Sequence, residues 1–238
     1  MKLDWFGKIR VEVGTSPAGS VTYRYPASCW RSVRTGAAGE RAADFAKARK
    51  AAYRRMFGEV HRVSDEAFPL IPHIEVHSYL RCAEDGTTVC TLVTSGMSDL
   101  EMAVPAGVIA PRRAELIFYC SEPREKYVET LRLLAHFPHD QDTWIGIGHT
   151  ILNGDPPAPF WGSSVLDTVL LLPPIVTRDA ILGDELILDC EPVEFLWVVP
   201  LTTPECRLKL AHGENAILDL FRKHRHPHVF AADRASYV

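Results

Sequence analysis

His73-Ile-Glu-Val-His-Ser-Tyr-Leu80, Thr87–Thr94 and Ala114–Cys120 are the three stretches whose reading decides the fold. Each is a short run rich in β-branched or aromatic residues, and turn residues such as Glu84-Asp85-Gly86 separate the first two, which is the punctuation of a strand hairpin. After Cys120 the period changes. Ser121 is predicted as the N-cap of a helix with Pro123 in its first turn and Tyr127, Val128, Leu131, Leu134 and Ala135 on one face, ended by Pro138. Trp144–Leu152, Ser164–Leu172, Glu185–Asp189 and Val193–Leu201 read as further strands, the last stopped by Pro200, and Asn153–Gly162 reads as a proline-rich loop. Thr202-Thr-Pro-Glu205 has capping-box spacing and opens a helix that Gly213 ends; a second helix follows with Ile217, Leu220 and Phe221 inward. Strand pairs interspersed irregularly with helices predict an α+β fold with a mixed, largely antiparallel sheet flanked by helices.

Upstream of this region, Ile9–Val13 alternates like a short strand, and glycines and prolines punctuate the rest of the first forty residues. From Glu40 to about Val60 the pattern is helical, with Phe45, Ala52, Tyr53, Met56, Phe57 and Val60 near one stripe and Gly58 marking fraying near its end. The expected organisation is an appendage with the start of the first helix over 1–50, and one domain over 51–238. Arg41 through Arg62 carries seven bases (Arg41, Lys47, Arg49, Lys50, Arg54, Arg55, Arg62) against Asp44 and Glu59, whereas Asp179–Glu194 carries six acids and no base. A solvated helix face is the simpler reading of the bases, because no aromatics interleave with them; nucleic-acid binding through 41–62 is the alternative. Intramolecular complementarity or a basic partner would account for the acidic stretch.

The composition excludes collagenous, disordered and disulfide-scaffold classes: 238 residues are 47% hydrophobic and 24% charged, with 26 Lys+Arg, 30 Asp+Glu and a formal net charge of −4. The longest apolar run, Val165 to Ile175, is broken by Asp167, Thr168 and Pro173-Pro174 and falls short of the roughly 20 residues needed to span a bilayer. Met1-Lys2-Leu3-Asp4-Trp5 has no apolar signal core, so a cytoplasmic location with no membrane attachment is expected. The cysteines at 29, 82, 90, 120, 190 and 206 are scattered without a C-x-x-C pair and are expected to be buried reduced thiols.

Catalytic motifs are wanting. Thr94-Ser95-Gly96-Met97-Ser98-Asp99 is the nearest to a nucleophile turn, but Leu100 stands where G-x-S-x-G needs its second glycine. A hydrolase using Ser98, Asp99 and His149 is therefore the alternative reading, with Ser98 and Asp99 as local caps the simpler one. Gly146-Ile-Gly148 lacks a third glycine and G-K-[ST], and is placed inside a strand, so no phosphate cradle and no cofactor are expected. His224-Arg-His226-Pro-His228 is the densest histidine cluster and reads as a solvated helix end before a metal site. His73 and His77 lie four apart with no carboxylate or cysteine at ligand spacing, so no metal site is expected there either.

Thr91-Leu-Val-Thr-Ser-Gly-Met-Ser-Asp-Leu100 followed by Arg113-Ala-Glu-Leu-Ile-Phe118 resembles the suppressor-of-fused family. The resemblance continues in order through Leu133-Leu-Ala135, Trp144, Gly148-His149, Leu170-Leu-Leu-Pro-Pro174, Phe195-Leu-Trp-Val-Val-Pro-Leu201, Thr203, Glu205 and Gly213 to Leu220, covering roughly Ala51 to Val238. It implies a fold like the N-terminal domain of suppressor of fused and a non-enzymatic domain that sequesters a protein partner. In animal members that domain and a C-terminal one hold an extended peptide as an added strand; this chain is expected to carry only the first of them. Stand-alone members resemble bacterial immunity proteins, which implies a toxin or an extended peptide segment as partner. A sheet edge suits such capture, since its unpaired N–H and C=O groups bind backbone while alternating side chains select sequence. The residues put forward for partner binding are Thr94, Ser98, Asp99, Trp144, His149 and Trp161, together with the loop Asn153–Trp161.

Overall fold

The computed structural model describes residues 2–3, 9–25, 40–67, 70–82, 86, 88–176, 179 and 185–238. The three runs that opened the sequence reading become β5 (Glu75–Cys82), β6 (Thr88–Ser95) and β7 (Arg113–Cys120), each antiparallel to the next. They are the centre of a larger sheet. β4 (Arg62–Ser64) pairs antiparallel with β5 at one end, and beyond β7 come β11 (Glu191–Thr202), β9 (Leu166–Leu172) and β8 (Thr150–Leu152). The order is β4-β5-β6-β7-β11-β9-β8, with β10 (Ile187–Leu188) a short hairpin arm on β11. Among the described strands only β7 and β11 run parallel, so the sheet is mixed and largely antiparallel.

Both faces of the sheet are covered. Along β7, Ala114, Leu116, Phe118 and Cys120 face one core while Ile117 and Tyr119 face the other; β11 divides likewise into Leu196 and Val198 against Phe195, Trp197 and Val199. That two-sided burial is why these strands read as continuous apolar runs instead of alternating ones. Helix α2 (Glu125–Asp140) closes the first face with Tyr127, Val128, Leu131 and Leu134. Helix α1 (Glu40–Phe57), through Phe45, Ala52, Tyr53, Met56 and Phe57, closes the second, joined by Ile217 and Phe221 of α4 (Glu214–His224). Helix α3 (Thr203–His212) starts on a capping box. Thr202 Oγ1 accepts from the Glu205 N–H at 3.4 Å and Glu205 Oε2 accepts from the Thr202 N–H at 2.9 Å, so the four-residue signature is realised. A separate antiparallel sheet joins β1 (Lys2–Leu3), β2 (Ile9–Thr15) and β3 (Val21–Arg24).

Several expectations are corrected. Ser121 is not an N-cap: α2 begins at Glu125 after Arg124, and Ser121 only follows the end of β7. Pro138 lies inside α2 rather than ending it, two residues from the last helical position. Trp144–Leu152 is a strand only over Thr150–Leu152, because Gly148 takes φ of 80° and turns the chain just before it; the Gly146-Ile-Gly148 segment is thus a loop. The expected strand Glu185–Asp189 contracts to Ile187–Leu188, since Asp189 and Cys190 both adopt positive φ in the turn to β11. Pro200 does not stop β11. Pairing with β7 ends at Trp197, so the missing N–H of Pro200 removes nothing from that ladder. Cys90, Cys120 and Cys206 are buried free thiols as expected, but Cys190 in the turn and Cys82 at the strand end are exposed; Cys29 lies outside the described residues.

Candidate partner-binding site

The six residues put forward from the sequence fall into three places. Thr94, Ser98 and Asp99 sit where β6 passes into a single 3-10 turn, Met97–Asp99, and there they surround Glu115 of β7. Glu115 is fully buried. Its Oε2 accepts from Thr94 Oγ1 at 2.6 Å, and its Oε1 accepts from the Gly96 and Ser98 N–H groups and from Ser98 Oγ at 2.6 Å. Arg49 descends from α1 onto the same group: its Nε donates to Ser95 Oγ at 3.0 Å, lies 3.8 Å from Glu115, and its Nη1 bridges Ser98 Oγ and Asp99. Arg113 Nη1 donates to the Ser98 and Asp99 carbonyls, and Tyr53 Oη donates to the Thr94 carbonyl at 2.7 Å. Gly96 has no room for a side chain, since a Cβ there would lie 1.9 Å from the His73 carbonyl oxygen at φ of 129°.

This cluster is electrostatically self-contained. Burial works against the Arg49 charge, but Glu115 and Asp99 outweigh it and raise the guanidinium above its usual range. Ser98 is 0% exposed, and its hydroxyl bonds Glu115 and Arg49 rather than an imidazole. The turn is therefore a rigid strut with no access for a substrate. The sequence signal for Arg49 was available: it falls four residues after Phe45 and four before Tyr53, on the apolar stripe of α1, so it is a correction to the solvated basic face. Among the other bases of α1, Arg41 meets Asp189 at 3.2 Å and Arg55 meets Glu185 at 3.1 Å, so the helix and the acidic segment answer each other within the molecule.

Trp161 belongs to neither edge nor turn. It is buried, its Nε1 donates to Thr130 Oγ1 at 2.8 Å, and it packs on Phe118, Tyr127 and Phe230, pinning the 153–162 loop to α2. Trp144 and His149 do come together, ring centroids 4.3 Å apart and edge on, at the entry to β8. The Gly148 N–H donates to the Leu171 carbonyl and the Leu171 N–H to the His149 carbonyl, which seats this pair beside β9. Burial, helped by Lys209, keeps the His149 imidazole below its usual range and hence neutral at pH 7. β8 is the terminal strand of the sheet, and among the described residues no strand pairs with its outer side. Leu152 within it and Ile147 before it are exposed, at 46% and 42%. The histidines of the tail disperse: His224 stacks on Tyr237, His226 on Phe221, and His228 meets the edge of Tyr119.

Two covered faces, a mixed sheet and an aromatic pair beside β8, one of its two terminal strands, define a scaffold with a free strand edge among the described residues. The family model for suppressor of fused protein matches residues 72–235, and the chain belongs to that family. Its fold is similar to that of a suppressor-of-fused homologue from Neisseria gonorrhoeae, solved by crystallography, with a TM-score of 0.60 at 19% identity over 82% of this chain and 98% of that one. A chain of the crystallised Sufu–Fu complex is similar with a TM-score of 0.56 at 11% identity, over 83% of this chain and 92% of that one. A search of curated proteins returned no match. No helix among the described residues is long and apolar enough to cross a membrane.

Proposed function

We propose that this chain is a non-enzymatic binding domain that captures an extended segment of another protein along the outer side of β8. The open edge of that terminal strand carries the reading, because its unpaired backbone groups offer a ladder and its neighbours Trp144 and His149 offer an aromatic wall. Membership of a family with a member solved as a Sufu–Fu complex supports a protein as the partner. In this reading Trp144 and His149 touch the partner, while Thr94, Ser98, Asp99 and Trp161 hold the frame on which the edge is mounted. The hydrolase alternative has against it the complete burial of Ser98 and its bonds to Glu115 and Arg49. The finer reading places the protein in the cytoplasm of a bacterial cell, neutralising a toxin.

The test uses tagged full-length protein and a Leu152→Lys variant, in which a charge is placed on the open edge. The wild type recovers one stoichiometric protein partner from its own cell extract, and the variant, with unchanged thermal stability, recovers at least about tenfold less. Equal recovery by both proteins removes β8 as the site, and recovery of no protein removes the binding reading. Co-expression with toxin reading frames adjoining the gene tests the finer role, and absence of protection rejects it.

A further inference from the structure

We propose that Asp65, His73 and Glu75 form a binding site for a divalent transition-metal ion of the zinc class, on the edge of the sheet opposite β8. Asp65 directly follows β4, His73 lies two residues before β5 and Glu75 begins it, so three ligand types meet although eight residues separate the first two. One donor atom from each lies within 4.8 Å of the others. Bond lengths of about 2.0–2.2 Å to nitrogen and oxygen put neighbouring tetrahedral ligand atoms about 3.3 Å apart, so this spread is within small side-chain adjustments of closure. An imidazole with two carboxylates and no thiolate favours zinc, cobalt or nickel over magnesium and calcium.

What distinguishes the cluster from a chance gathering of surface acids is the buried side chain behind His73 and behind Glu75. His73 turns Nε2 toward Asp65, at 2.6 Å, and Nδ1 toward Glu66 Oε2, at 3.6 Å. One ring nitrogen thus faces the other ligands while the second lies 3.6 Å from a carboxylate, a few tenths of an ångström from the hydrogen bond that orients metal-bound imidazoles. Glu66 is itself fixed, with its side chain 7% exposed, by the Ile74 N–H at 3.1 Å and by His136 Nε2 at 2.5 Å. Behind Glu75, Oε2 meets His77 Nε2 at 2.7 Å, and His77 Nδ1 rests 3.3 Å from Tyr79 Oη. The Asp65 backbone carbonyl accepts from Arg132 Nη2 of α2. Asp65, His73 and Glu75 have side chains 67%, 38% and 36% exposed, so an ion reaches them from solution and keeps a position for water or an outside donor.

Binding replaces the Asp65–His73 hydrogen bond by coordination through the Nε2 lone pair of a neutral imidazole, with the Nδ1 proton directed at Glu66; any proton on Nε2 leaves to solvent. The ion would tie the segment after β4 to the head of β5. The proposal is independent of the β8 reading, since the two sites occupy opposite ends of the strand order.

The test is calorimetric titration of metal-stripped full chain with zinc chloride. One ion per chain is expected, binding more weakly as pH falls from 7 to 5, with Asp65→Asn and His73→Gln each weakening it at least about tenfold and Glu66→Gln about tenfold through loss of the backing carboxylate. The double variant His224→Gln/His228→Gln binds as the wild type does. Cobalt gives visible ligand-field bands that His73→Gln loses. If His73→Gln does not fold, exposed Asp65→Asn and Glu75→Gln decide the matter. Absence of stoichiometric zinc binding at micromolar concentrations, retention of full affinity by Asp65→Asn and Glu75→Gln, or loss of binding in the tail-histidine variant overturns the proposal.

Discussion

Glu115 is the residue on which the β6–β7 turn depends, because a carboxylate without water must be neutralised and hydrogen-bonded by the protein itself. Four donors and the Arg49 guanidinium do this, tying α1 to the sheet through Arg49 and Tyr53. Removing only one partner leaves a buried charge. Glu115→Gln is expected to cost about 3–5 kcal/mol in urea unfolding, whereas Arg49→Met/Glu115→Gln costs clearly less than the sum of the single variants, as a double-mutant cycle would read out. Gly96→Ala fails for a different reason, a Cβ forced to within 1.9 Å of a backbone oxygen, and should lower Tm sharply without altering the charge network. Neither Arg49 nor Glu115 stood out in the sequence as a pair. Arg49 was on the helical apolar stripe and Glu115 shares the inward face of Ile117 and Tyr119, but only the packing of α1 onto β7 joins them.

At the scale of elements, the C-terminal segment after α4 behaves as a strap across the end of β11. Arg234 donates to both oxygens of fully buried Glu205, at 2.7 and 2.8 Å, and to the Pro200 carbonyl at 3.0 Å, while the Tyr237 N–H adds a further bond to Glu205. Phe230 N–H donates to the Tyr119 carbonyl where β7 is no longer paired with β11. Burial by itself pushes Glu205 up, but the bonds from Arg234 and from the Thr202 and Tyr237 N–H groups outweigh it, and the carboxyl lies below its usual range. Arg234→Ala should therefore cost about 3 kcal/mol and loosen the strap, seen as faster amide exchange at Phe230 and Tyr237. The capping box at the head of α3 was legible because its partners are three residues apart; the second use of Glu205 was not, because Arg234 is 29 residues further on.

For the whole molecule, acid is the expected route to unfolding. Burial, reinforced by Arg234, holds His226 down at about 4, so it stays neutral in the fold and takes up a proton near about 6.5 when unfolded. A base depressed in this way contributes fully above pH 6.5, and the contribution, up to about 3 kcal/mol, is lost as pH falls from 6.5 to 4. Glu205, a depressed acid, contributes above its ordinary value near about 4.3 and loses that contribution as pH falls further. Urea midpoints measured from pH 7 to 3 should decline in two stages, and His226→Gln should flatten the first. The balance of charge over the molecule also has a structural meaning, since Arg41 and Arg55 are met by Asp189 and Glu185. Retention on a DNA column at 150 mM salt should accordingly be negligible, with no steep salt dependence at lower ionic strength.

Local chemistry alone determined much of this protein: the strand runs, the helix stripes, the Thr202–Glu205 cap, the glycine stops at Gly58 and Gly213, and an α+β fold with a mixed sheet, because each of these depends on residues a few positions apart. Tertiary structure decided which strand was left at the edge, which charges were buried and which histidines met carboxylates. The order β7-β11-β9-β8 reverses and crosses the chain, so β8, which directly follows α2 and precedes β9 and β11, ends up outermost. Asp65, His73 and Glu75 meet for a more local reason, since β4 and β5 pair antiparallel with Ser64 opposite Val76 and so bring the segment after β4 beside the head of β5.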